Sequence, residues 1–274
     1  PPLSNHRLLP TTAAPSTLYS LCNLRTCPCP PSPVSYNSRE NPPDTPAGTA
    51  HETAPCSPAL CPISNNQRQP LPNANWAATV YNGVPAKNYT FRPETGTYLA
   101  FLGRISPEKG IEQAIEIATR SGMPLRIAAK VDKVDEAYFK TVIKPLLQHP
   151  LVEFIGEINE QQKNDFLGHA YALLFPINWP EPFGLVMIET MACGTPVIAY
   201  RCGSVPEVMH HGETGFIVNG INEAIEAVEN IPTISRFCCR HLFEKRFSCT
   251  TMAEAYLNAY RHVIKSGFYP RIAV

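Results

Sequence analysis

Residues 95–250 predict a doubly wound, mostly parallel α/β sheet of Rossmann-like type, and three observations carry that prediction. Six short apolar runs recur along this stretch, and a segment of helical character follows each. The runs are nearly continuous in apolar residues rather than alternating, the pattern of strands buried on both faces. Glycines and prolines gather where each run ends, so turns fall at the carboxyl ends of the strands, where ligands bind in such sheets.

The first run is Tyr98-Leu-Ala-Phe-Leu102, followed by Gly103-Arg104-Ile-Ser106-Pro107-Glu108-Lys109-Gly110. The helix that follows places Ile111, Ala114, Ile115 and Ala118 on one face and closes at Gly122. Ser106 reads as its N-cap and Pro107 as its first residue. Lys109 then falls in the first turn, where a cation opposes the helix dipole unless an anion sits against it. Arg104, at the strand end, can fork onto the same anion. Read from spacing alone, the pair is equally a surface arginine and a snorkelling lysine.

Leu125–Ala129 is the second strand, and residues 134–148 form an amphipathic helix with Tyr138, Val142, Leu146 and Leu147 inward. Val152–Ile155 is the third strand, ending in Gly156-Glu157-Ile158, and residues 159–170 form a polar-faced helix. Tyr171–Phe175 is the fourth strand. Pro196–Tyr200 is the fifth, with Gly203-Ser-Val-Pro-Glu207 turning into a short helix. Residues 212–218 supply the sixth, residues 221–230 another helix, and Met252–Ile264 the last, with Tyr256, Leu257, Tyr260 and Val263 on one side.

The stretch Asn178-Trp-Pro-Glu-Pro-Phe-Gly-Leu-Val-Met-Ile-Glu189 carries most of the chemistry. Pro176, Pro180 and Pro182 forbid regular structure. Gly184 then opens a buried helix, Leu185–Cys193, closed by Gly194. Free N–H groups at such a helix start bind phosphate, and a residue without Cβ lets the ligand approach the backbone. Glu181 and Glu189 bracket this anion site. A carboxylate beside a phosphate pocket pairs naturally with vicinal hydroxyls. Phosphate between two hydroxyl-bearing groups describes a nucleotide-sugar. The alternative reading of the same spacing is a solvated loop glutamate, a helix-surface glutamate and an apolar helix packed on a sheet.

Glu181-Pro-Phe-Gly-Leu-Val-Met-Ile-Glu189, followed by Met191-Ala-Cys-Gly-Thr-Pro-Val-Ile-Ala199, resembles the Glu-x7-Glu signature of family 4 retaining glycosyltransferases, and the resemblance extends over residues 63–274. It implies the C-terminal, nucleotide-sugar-binding half of a GT-B fold. It implies transfer of a hexose from a UDP-, GDP- or ADP-activated donor, UDP favoured, to an acceptor hydroxyl with retention. Gly103-Arg104 and Glu108-Lys109-Gly110 match the positions whose Arg and Lys hold the donor diphosphate. By the same resemblance, backbone of Phe183, Gly184, Leu185 and Val186 holds phosphate and sugar, Glu181 the sugar hydroxyls, Glu189 the ribose, and Ile158 lies against the base. No Asp-x-Asp occurs, so no metal or other cofactor is expected, and Arg104, Lys109 and the helix end would neutralise the diphosphate. Two other readings stand beside this one. One is a truncated, non-catalytic nucleotide-sugar-binding module. The other is a phosphorylase or epimerase of the same fold, for which Lys130 or Lys133 is a possible pyridoxal phosphate lysine.

The rest of the chain frames this domain. Residues 63–94, with the turn signal Asn82-Gly83, look like a remnant of the family's first domain and a linker. Residues 251–274 read as a helix crossing toward that domain, its apolar face lacking a partner. Residues 1–72 hold 16 of the 29 prolines, five of the ten cysteines, seven charged residues and one glycine, with neither helical nor strand period. Residues 1–62 are therefore expected to be disordered and foreign to the fold, as from a mistranslated or rearranged upstream region. Cys22, Cys27, Cys29, Cys56 and Cys61 lack the usual spacing of a zinc knuckle, and Cys193, Cys202, Cys238 and Cys239 read as packing or surface residues. His210-His211 is expected to face solvent. Lys plus Arg and Asp plus Glu number 23 each, which argues against nucleic acid as a partner. No apolar run approaches the length of a membrane span, and a cytoplasmic enzyme is expected.

Overall fold

The computed structural model describes residues 59–266. The expectations for residues 1–58 and for 267–274, including four of the five N-terminal cysteines, lie outside the described residues. Six strands form one parallel sheet: β1 (Tyr98–Arg104), β2 (Leu125–Lys130), β3 (Val152–Gly156), β4 (Ala170–Phe175), β5 (Val197–Tyr200) and β6 (Gly215–Val218). Their spatial order is β3-β2-β1-β4-β5-β6, and every neighbouring pair is parallel. The chain winds outward from β1 to β3, then returns to the other side of β1 to lay down β4. The reversal puts a switch point between the carboxyl ends of β1 and β4.

Helices cover both faces, as the apolar runs require. Leu99, Phe101, Ile127 and Leu174 point to one face, where α1 (Ile111–Arg120) and α7 (Ile221–Asn230) pack. Ala100, Ala128, Leu173 and Val197 point to the other, against α4 (Glu160–Gly168), α5 (Leu185–Ala192) and α8 (Arg236–Arg246). α6 (Val205–Val208) is a single turn, and α9 (Cys249–Lys265) closes the described chain.

Two helices differ from expectation. Ser106 is extended (φ −155°, ψ 152°) and makes no capping bond; Pro107–Lys109 form an isolated 3-10 turn, and α1 begins after Gly110. Gly110 holds φ 73°, and a Cβ there would run into the Pro176 carbonyl in the loop after β4. The close approach of the two loops thus selects the break. Lys109 accordingly lies before α1, not in its first turn. Residues 133–146 are a broken helix: a 3-10 turn (Lys133–Asp135), α2 (Glu136–Tyr138), a π-turn (Phe139–Ile143) and α3 (Lys144–Leu146). The π-turn shifts the helical phase. Ile143 becomes the fully buried residue, while Val142 and Leu146, expected inward, are exposed.

Leu60 to Pro62, expected to be disordered and foreign to the fold, are instead bonded into it. Leu60 N–H donates to Asn75 O, Ala77 N–H to Leu60 O and Val80 N–H to Pro62 O. Cys61, Val80 and Ala259 form a small cluster with Met252 and Tyr256, so these residues cover part of α9; Leu257, Tyr260 and Ile264 stay exposed. Glu207 in α6 fastens the same segment, accepting from the N–H groups of Asn65 and Asn66 at 2.7 Å each and from the Tyr81 hydroxyl at 3.1 Å. His210 and His211 are exposed, as expected.

α8 supplies a buried cation. Arg236 donates to the carbonyls of Arg92 (2.7 Å), Ala170 (3.0 Å) and Gly168 (2.8 Å) and to Thr195 Oγ1 (2.6 Å). Arg240 caps α5 from the side, donating to Ala192 O at 2.6 Å. Arg236→Met is expected to lower unfolding free energy by about 3 kcal/mol, since it strands several buried acceptors at once. Urea unfolding of the purified chain measures it.

Candidate functional site

The site stands on the carboxyl edge of the sheet, around the switch point. The loop after β1 and the loop after β4 are joined directly there, Asn178 N–H donating to Glu108 O at 2.9 Å. The expectation of a glycine-led helix start holds: Gly184 is left-handed (φ 76°, ψ 69°) and immediately precedes α5. The N–H groups at the start of α5 have no intrahelical acceptor, and the helix dipole adds positive charge at that end. Leu185 is exposed and Val186 half-buried. Phe183 differs from its neighbours. Its ring is core, 6.1 Å from Tyr81 and 6.0 Å from Phe247, and its carbonyl accepts from Ser204 Oγ at 2.8 Å.

Glu189 is 8% exposed, inside α5. Its Oε1 accepts from Lys163 Nζ at 2.8 Å and from the Tyr89 hydroxyl at 3.0 Å, while Oε2 takes no bond from the described residues. Burial, then the Glu189 charge, pushes the Tyr89 phenol well above its ordinary pKa, so it stays a donor. Burial opposes the charge on Lys163, but its bonds to Glu160 and Glu189 outweigh that and raise its pKa. A capping box between Asn159 and Gln162 fixes the start of α4 and so aims Lys163. A cavity of about 280 Å³ opens beside this cluster, lined by residues that include Gly103, Ile158, Lys163, Val186 and Glu189. Ile158 and Val186 line the same cavity as Glu189.

Lys109 and Glu181 form a second cluster. Nζ lies 2.5 Å from Glu181 Oε2, and the two side chains are only 17% and 15% exposed. Trp179 Nε1 donates to the same Oε2 at 2.9 Å, and Lys109 Nζ sits 5.0 Å from the centre of the Trp179 ring. The lysine's counter-charge is therefore Glu181. Arg104 is half-exposed, 3.4 Å from Asp132 and 3.6 Å from Glu108. Lys130, bonded to Asp132 at 3.1 Å, and then Arg104 hold that carboxyl below its ordinary range. Arg104, Lys109 and Glu181 do not line the cavity beside Glu189: Lys109 pairs with Glu181, and Arg104 stands apart with Asp132 and Glu108.

Sequence reasoning did not single out Tyr89, Lys163 or Asp132, and it named Trp179 only as part of the motif stretch. Trp179 stands two residues before Glu181, and that spacing was the one available signal. Tyr89 and Lys163 are ordinary residues in sequence, marked only by their contact with Glu189. Among the described residues no group of three or more His, Cys, Asp or Glu side chains is placed to hold a metal. Cys239 is buried and Cys238 exposed, and burial pushes the Cys193 and Cys239 thiols up to about 12.

Comparisons with known proteins bear on the family and the fold. The chain is 28% identical over 207 residues to a glycogen synthase of Mycobacterium tuberculosis, covering 66% of this chain and 48% of that one. It is 30% identical over 182 residues to a D-inositol 3-phosphate glycosyltransferase of Rhodococcus erythropolis, covering 60% and 40%. The chain thus spans about half the length of these relatives or less. Among solved structures, AviGT4, a glycosyltransferase involved in avilamycin A biosynthesis, superposes with a TM-score of 0.66 at 24% identity, over 75% of this chain and 63% of that one. An Anabaena protein, Alr3699/HepE, solved in complex with UDP and glucose, superposes with a TM-score of 0.64 at 18% identity, over 74% and 63%. Both likenesses show the fold, a Rossmann-like domain of GT-B type. The family model for glycosyl transferases group 1 matches residues 86–234, and the chain belongs to that family.

Proposed function

We propose that this domain binds a nucleotide-sugar, UDP-linked by preference, for retaining transfer of a hexose to a hydroxyl acceptor, as in family 4 glycosyltransferases. The observation that carries the reading is Glu189: a buried carboxylate in the cavity wall, one oxygen held by two donors and the other taking no bond from the described residues. Such an oxygen accepts from the ribose hydroxyls, with the base against Ile158. The diphosphate then lies over Gly184 and the first N–H groups of α5. Arg104 and Lys109 face the charge that develops on the departing diphosphate. Glu181 accepts from the sugar hydroxyls. To act, Lys109 and Glu181 must exchange each other for the donor: ammonium to phosphate, carboxylate to hydroxyl. Both are then charge-assisted hydrogen bonds, so the exchange replaces like with like. Neutralisation in this reading needs no metal, and we place the reaction in the cytoplasm.

The first test is binding. UDP, GDP and ADP, each with chelator present, are titrated while thermal unfolding is followed. At a hundredfold excess over Kd, one of them is expected to stabilise the chain by roughly 2.7 kcal/mol. No shift with any of the three sinks the reading.

The second test separates the glutamates by calorimetry. Glu189→Gln is expected to weaken UDP itself by about 1–2 kcal/mol, because a neutral amide accepts hydroxyls less strongly. Glu181→Gln is expected to leave UDP nearly unchanged and to weaken the UDP-sugar. Equal losses against both ligands in both variants mean that the two carboxylates act as one structural pair.

A further inference from the structure

We infer that Trp179 is a positioning residue of the donor site: its indole N–H fixes Glu181 while its ring face gives Lys109 a resting place to leave when the diphosphate arrives. The inference rests on the donor-site reading above and adds a residue to it. Three contacts carry it. Trp179 Nε1 donates to Glu181 Oε2 at 2.9 Å, the same oxygen that Lys109 approaches, and Oε1 takes no bond from the described residues. Lys109 Nζ lies 5.0 Å from the ring centre, within cation–π range. The tryptophan is itself anchored, since its carbonyl accepts from Glu181 N–H at 2.7 Å and from Cys202 Sγ at 3.0 Å.

The consequence appears when Lys109 turns to a phosphate. Glu181 then loses its cation, and a carboxylate with no other donor is free to rotate. The indole N–H is the donor that remains. It keeps Oε2 in place and leaves Oε1 aimed outward for a sugar hydroxyl. Trp179 therefore acts on the sugar half of the ligand through Glu181, and on the diphosphate half only through the parked ammonium.

Calorimetry on the full chain tests this with UDP against UDP-glucose, and with GDP against GDP-mannose and ADP against ADP-glucose in parallel. Trp179→Phe keeps a ring face and removes the N–H donor. It is expected to change diphosphate affinity by less than about twofold and to weaken the matching nucleotide-sugar by about tenfold. Equal losses on both ligands, or no loss on either, overturn the inference while leaving the donor site standing. If the wild-type chain binds none of the six ligands, the donor-site reading itself fails and the inference with it. A second measurement needs no change at Trp179. In Trp76→Phe, Trp179 is the one tryptophan left, and saturating UDP is expected to shift its emission wavelength as Lys109 leaves the ring. Lys109→Met in that background is expected to remove most of the shift. Emission that UDP does not move, or that moves equally without Lys109, overturns the inference.

Discussion

The reversal of winding direction after β3 is the constraint on which the rest depends. A parallel sheet started at β1 can grow outward only on one side at a time, so the chain must cross back before adding β4. The crossing leaves the loops after β1 and β4 diverging to opposite faces, with a crevice between them that neither helix layer fills. Everything that reads as chemistry sits beside that crevice. Arg104 and Lys109 come from one loop, and Glu181, Gly184 and Glu189 come from the other loop and its helix. The bond between Asn178 N–H and Glu108 O keeps the two loops in register. Gly110 is required for the same reason, because no larger residue passes Pro176 at that separation.

Electrostatically, the charges of the crevice are paired among its own residues. Lys109 answers Glu181, Lys163 answers Glu189 and Glu160, and Asp132 answers Lys130 and Arg104. Of these, Lys109, Glu181, Lys163 and Glu189 are poorly solvated and need partners, and a ligand that brings both phosphate and hydroxyls could replace them. The two glutamates share a pattern: in each, the protein's donors converge on one oxygen and leave the other open. A purely structural salt bridge gains most by satisfying both oxygens, and here neither pair does so.

The fold was legible because burial on both faces writes itself as uninterrupted apolar runs, and β4 and β5 are almost wholly buried as read. The site was legible where one residue type has one physical use: a glycine before a helix, or a carboxylate within it. What stayed hidden depends on contacts distant in sequence. Lys109 reads as a cation awaiting an anion, and its partner Glu181 lies 72 residues away. Arg236 acts through carbonyl oxygens, which every residue has, so no pattern announces it. Of the inward face read for residues 134–148, Tyr138 and Leu147 do pack on the core, but Val142 and Leu146 do not, because a π-turn inserts one extra residue into the period and nothing in Phe139–Ile143 marks the insertion.

Glu207 gives the segment that enters the domain a mechanical bearing on the site. Its two carboxylate oxygens grip the backbone of Asn65 and Asn66, and three residues earlier Ser204 N–H holds the Glu181 carbonyl while Ser204 Oγ holds that of Phe183. One turn of helix therefore has the incoming chain in one hand and the loop that carries Glu181 in the other. Whatever pulls on residues 64–68 pulls on Glu181 through a lever a single turn long. The chain that leads into this domain is coupled to the Glu181 loop by geometry and is not a passive tether.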